Sequence, residues 1–146
     1  MNNATQYIAI LEKILTLLKN AKLEYLKASD VINRVEDKRY LNLQSTLRNR
    51  LFQDVTQLLR SKNVDVESLI IRRLNYEQIV ISSIKKTKHS LLYKCIENDK
   101  NLLDLYDQAI GLESNASLLK AHKEKISMAV KESAHLLEDA GYILES

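Results

Sequence analysis

The segment KCIENDKNLLDLYDQAIG, residues 94–111, sets Cys95, Asp99, Leu102 and Tyr106 at steps of four, three and four, the spacing of one helix face. A carboxylate in such a row needs a partner, because burying it without a hydrogen bond or an opposite charge is costly. Two other polar residues fall on comparable rows. Asp54 follows Leu47 and Leu51 and precedes Leu58, and His122 stands between Leu119 and Ile126. Asp54, Asp99 and His122 are therefore expected to face one interior, with Tyr25 as a nearby hydroxyl donor. Carboxylates and imidazole ligate divalent metals, and the same groups also pair with one another. Supply decides between the two. A two-metal carboxylate centre among helices draws on about six protein ligands in two sets, and these residues fall short of that. The expectation is a hydrogen-bonded polar cluster with no metal and no cofactor, in which Asp99 accepts from Tyr25 or His122, Asp99→Asn costs little and Asp99→Leu is tolerated.

Other chemistry-bearing residues are sparse. The one Glu-x-x-His pair, Glu132 and His135 in ESAH, lies near the end of the chain without a second copy. His122 and Lys125 have the spacing of a histidine phosphotransfer site, but Ile126 follows where a small residue would clear room for the phosphoryl group. The lone Cys95, on an apolar row, reads as a small core residue, since a reactive thiol needs nearby positive charge and solvent access. Basic residues cluster at 48–50, 72–73 and 85–88, yet no aromatic side chains are interleaved for base stacking and acids dilute each run, so solvated helix surface is the expected role rather than nucleic-acid contact. No Gly-rich phosphate loop, zinc-spaced cluster or serine elbow is present. An enzyme is not expected.

The elements that position these residues are legible from periodicity. Tyr7, Leu11, Ile14, Leu18, Ala21, Tyr25, Ala28 and Ile32 form one stripe of a long helix. Tyr40, Leu43, Leu47, Leu51, Val55 and Leu58 form another, after a connection short enough to make the two antiparallel. The run Ile79-Val80-Ile81 is β-branched, but a single strand without a partner cannot satisfy its backbone, so helix is expected there too. Thr87 is a candidate N-cap for the helix carrying Asp99, and Gly111 and Gly141 suit left-handed C-terminal caps. Helices are predicted near 4–34, 37–62, 66–86, 88–111 and 116–140.

The chain of 146 residues has no Pro, two Gly and one Cys. That composition fits a single all-α domain spanning residues 1–146, without a disulfide, and points to a reducing, cytoplasmic setting. No stretch is long and apolar enough to span a membrane, and a net charge of +3 is too small to single out nucleic acid or anionic lipid. Tyr142, Ile143 and Leu144 form a short apolar tail that either folds back or docks on a second copy, which makes a homodimer one expected assembly.

LLYKCIENDKNLLDLYDQAI resembles the third long helix of an uncharacterised bacterial family of ferritin-like four-helix-bundle proteins, some of them stress-induced, in which a Cys, an acid and a Tyr recur as Cys95, Asp99 and Tyr106 do here. TLRNRLFQDVTQLL is similar to that family's second helix, with Arg48, Leu51 and Asp54 at the matching positions, and LEYLKASDVI to the end of its first, with Tyr25 at the aromatic position. The resemblance implies a ferritin-like antiparallel four-helix bundle with an additional shorter helix mid-chain, and a binding or structural role connected with stress. The chain departs from the family pattern at Lys62 and Asn63, which replace a Gly pair, at Ile96 in place of an acid, and at Val130 in place of a His. A metal-binding ferritin-like protein, a nucleic-acid binder and a phosphotransfer module stand as the alternatives.

Overall fold

The computed structural model describes residues 3–69 and 88–139. Every regular element among them is a helix: α1 Asn3–Val31, α2 Val35–Ser61, α3 Val66–Leu69, α4 Lys88–Leu112 and α5 Ser117–Asp139. Of the helix expected over 66–86 only the part at Val66–Leu69 is described; its remainder, with the Ile79-Val80-Ile81 run, and Thr87, Gly141 and the tail at 142–144 lie outside the described residues.

α1 forms as its stripe dictates. Tyr7, Leu11, Ile14, Leu18, Ala21, Tyr25, Ala28 and Ile32 are all buried. α1 ends three residues before the predicted limit, and α2 starts two residues early, after Arg34 in extended conformation. Glu36 and Asp37 occupy the first turn of α2, where carboxylates complement the positive helix end.

The interior face of α2 is rotated from the predicted one. Leu41, Ser45, Arg48, Leu51, Val55 and Leu59 are buried, whereas Leu43 is 62% exposed and Tyr40, Leu47 and Leu58 are only partly buried. Two of those interior positions are polar for structural reasons. Ser45 is small enough for close approach to α1 and donates to the Lys22 carbonyl at 3.2 Å, and Arg48 reaches across to α4.

α2 ends in a Schellman motif. Asn63 donates to the Arg60 carbonyl and Val64 to the Leu59 carbonyl, at 3.0 and 3.1 Å, with Asn63 left-handed at φ 64°. This is the backbone conformation that Gly adopts freely and Asn tolerates best among the rest. Gly111, predicted to be such a cap, instead lies within α4, one residue before its end.

Side-chain pairings fix the helix directions. Lys38 meets the Ser29 carbonyl and Lys22 meets Asn49, so α1 and α2 run oppositely. Gln6 and Ile10 share a groove with Asp107 and Gly111 while Asn98 bonds the Leu17 carbonyl, so α1 and α4 run oppositely. Tyr40 meets Ala129 and Asp54 meets His122, which sets α5 against α2. The end of α2 lies beside the end of α4, where Lys62 pairs with Glu113 at 3.7 Å. α1 and α5 thus point one way and α2 and α4 the other, with like-directed helices on the diagonals. The chain leaves α2 at one end of the assembly and enters α4 at the other.

The apolar core falls into two clusters. One is built on Leu11, Ile14, Leu18, Leu51, Val55, Leu59, Leu102, Tyr106, Leu119 and Ile126. The other is built on Tyr25, Ala28, Ile32, Leu41, Leu92, Cys95, Ile96 and Leu137. Arg48 lies between Leu41 and Leu51 along α2, and Asp99 between Ile96 and Leu102 along α4, so a polar layer separates the clusters.

Candidate functional site

The centre of that layer is an ion pair with neither side chain exposed. Arg48 Nε donates to Asp99 Oδ1 at 3.2 Å and Arg48 Nη2 to Oδ2 at 2.7 Å, the two-point geometry for which a guanidinium is shaped. Tyr25 Oη donates to the same Oδ2 at 2.6 Å, and Arg48 Nη1 donates to Gln44 Oε1 at 2.9 Å. The Arg48 guanidinium also sits 5.0 Å from the centre of the Tyr25 ring, within cation–π range.

Because a carboxylate only accepts, the Tyr25 proton is committed to Asp99, and the rest of the chain of hydroxyls follows. Ser133 Oγ, 3.3 Å from Tyr25 Oη, donates to it. Tyr40 Oη lies 3.1 Å from Ser133 Oγ and 3.3 Å from the Ala129 carbonyl and can donate to either. One side chain from each long helix therefore meets in a single network: Tyr25, Arg48, Asp99 and Ser133.

Burial shapes the titration of these groups. It pushes the Tyr25 hydroxyl and the Cys95 thiol well up, with the Asp99 charge adding to both, and pushes Tyr40 up to about 12. For Arg48 burial pulls the other way, but Asp99 and Tyr25 outweigh it and leave the guanidinium still harder to deprotonate. The network holds one positive and one negative charge in a fixed arrangement.

The other two predicted residues form a separate group. His122 Nδ1 lies 2.8 Å from Tyr106 Oη and Nε2 lies 2.9 Å from Asp54 Oδ2. The carboxylate accepts, so Nε2 carries the proton in the neutral ring and Nδ1 accepts from Tyr106. Desolvation lowers the His122 pKa, partly offset by Asp54 and reinforced by Lys125. The Asp54 side chain is 42% exposed, so it stands at the rim rather than inside.

The four residues expected in one cluster thus divide into two pairs, Tyr25 with Asp99 and His122 with Asp54. Asp99 takes its hydrogen bond from Tyr25, while His122 bonds Tyr106 and Asp54. Arg48, read from the sequence as solvated surface, is the principal partner. The signal that could have found it is the supply argument itself, since an interior acid calls for a cation and Arg48 is a long side chain next to the α2 stripe. His122 is 2% exposed with both ring nitrogens engaged, an arrangement closed to a phosphoryl donor. Among the described residues no three His, Cys, Asp or Glu side chains are grouped to hold a metal ion, and no helix is long and apolar enough to cross a membrane.

Glu132 and His135 line a cleft of about 260 Å³ with Arg34, Asp37, Tyr40 and Leu136. No protein-family model, curated protein or solved structure gives a significant match to the chain.

Proposed function

We propose that the chain is a ferritin-like antiparallel four-helix bundle that works as a non-catalytic binding or structural module of the cytoplasm, with its interior closed by an ion pair where metal-binding bundles of this kind hold their ions. The carrying observation is the fully buried fork between Arg48 and Asp99. A guanidinium in the interior already neutralises Asp99, and a second cation beside it would meet repulsion in a medium that screens poorly. The helix directions support the ferritin-like reading, since a single end-to-end connection between the second and third long helices is that fold's arrangement. The role in stress physiology rests on the resemblance of the first three long helices to a family some of whose members are stress-induced. A homodimer through the apolar tail remains the assembly to test by sedimentation.

The decisive measurement is elemental analysis of protein purified without chelator. Iron, manganese and zinc are expected well below one equivalent per chain. Two equivalents of metal, lost in Asp99→Asn, would overturn the reading in favour of a metal-binding ferritin-like protein.

A further inference from the structure

The cleft at the α1–α2 turn has the makings of a ligand site beside the interior network, with which it shares the Tyr40 side chain. Asp37, in the first turn of α2, is 7% exposed, and its Oδ2 is buried without a hydrogen bond. Among the described residues its ion-pair partner is Arg34, whose Nε stands 3.6 Å away, beyond hydrogen-bonding distance. Arg34 is 58% exposed and has a second carboxylate within reach, Glu36 at 3.3 Å. The contact between Arg34 and Asp37 is therefore loose and replaceable.

The surroundings favour a positive occupant. The cleft is lined by two carboxylates, Asp37 and Glu132, against one guanidinium, Arg34, and the His135 imidazole, with the Tyr40 side chain and Leu136 as its less polar walls. The start of α2 is already compensated by Glu36 and Asp37. The last turn of α5 carries no basic side chain of its own, and the negative end of a helix favours a cation. A metal ion would need converging ligands, and no such group of three occurs among the described residues. The occupant must instead bring its own N–H donors.

We propose that this cleft binds a small organic cation bearing an ammonium group, which displaces Arg34 and hydrogen-bonds Asp37, with Glu132 as the second acidic contact. The inference rests on the binding-module reading and names its ligand class. Arg34 then acts as a tethered competitor: shared between Glu36 and Asp37 when the cleft is empty, it keeps Glu36 alone when the ligand enters.

Isothermal titration of the full chain with 1,4-diaminobutane at low ionic strength tests this, with 1,4-butanediol as the uncharged probe of the same length. Saturable one-to-one binding of the diamine is expected, with none by the diol. Asp37→Asn should weaken binding about tenfold or more, as loss of a charged hydrogen bond implies, Glu132→Gln should weaken it severalfold, and Arg34→Ala should tighten it. Glu132 is exposed, so its variant tests the site even if Asp37→Asn unsettles the start of α2. Absence of saturable diamine binding by both the wild type and Arg34→Ala would overturn the proposal. So would diamine binding indifferent to Asp37 and Glu132, or binding of Zn²⁺ at these residues in place of the diamine. Metal found in the interior would instead count against the non-catalytic reading alone, because neither Arg48 nor Asp99 lines this cleft.

Discussion

Arg48 and Asp99 meet across the diagonal between α2 and α4 with neither side chain exposed, and this pair reverses the simplest expectation for Asp99. An isolated interior acid would be replaced by Leu at little cost. Here Asp99→Leu leaves a buried guanidinium whose charge has lost its partner, and breaking such a pair costs about 3 to 5 kcal/mol. Urea unfolding should show a loss of that size for Asp99→Leu, with Asp99→Asn intermediate because the amide oxygen still accepts one bond. A change within about 0.5 kcal/mol would mean the pair is absent in solution.

Removing both charges together should behave differently. Arg48→Met with Asp99→Leu eliminates the desolvation cost of both ions, and apolar replacement of a whole buried pair is neutral or stabilising by about 1 to 4 kcal/mol in comparable cases. The double variant is expected to be at least as stable as the wild type and clearly more stable than either single one. If the double loss equals the sum of the single losses, Arg48 and Asp99 do not interact energetically.

The rotation of α2 shows why part of this site was legible and part was not. α1 can be read directly, since almost every position on its interior stripe is apolar or Tyr. The interior face of α2 carries Ser45 and Arg48, so a rule that sends apolar residues inward selects Leu43 and Leu47 instead. Periodicity places Tyr25, Asp99 and His122 correctly inside, because each shares a row with apolar neighbours. It cannot say which of them meet, since that depends on level along the helix axes. Tyr25 and Asp99 stand at one level, and His122 with Tyr106 stands at another.

His122 makes stability depend on pH in a defined window. Burial lowers its pKa in the fold below the ordinary 6.5, so the unfolded chain binds the proton more readily. The stabilisation is complete above the unfolded value and is lost as pH falls through the folded one. Urea midpoints measured from about pH 8 to about pH 5.5, above the main carboxylate range, should decline toward acid in the wild type and decline less in His122→Gln. Equal slopes in the two proteins would show that His122 does not titrate differently on folding.

Cys95 should be chemically silent in the native state. It is fully buried, and burial together with the Asp99 and Glu24 charges raises its thiol well above the ordinary value. Thiolate is the reactive form, so alkylation at mildly alkaline pH should be slow in native protein and fast in urea. Rapid native labelling at a rate independent of stability would show that the apolar cluster around Cys95 opens to solvent.

The backbone makes the last distinction, between two residues whose types suggest the opposite roles. Gly111 lies in helical structure, and a Cβ built there meets nothing within 4 Å. Replacing it by Ala reduces the freedom of the unfolded chain without a steric penalty, which stabilises by roughly 0.4 to 1 kcal/mol. Asn63 holds the left-handed position of the Schellman motif at φ 64°, where a side chain with a Cβ is strained by about 1 to 2 kcal/mol unless it is Gly. Asn63→Gly should therefore match or exceed the wild type, while Asn63→Ala falls below it. Thermal midpoints of the three variants test the assignment. A drop for Gly111→Ala, or a gain for Asn63→Ala, would place the left-handed cap at the end of α4 instead of the end of α2.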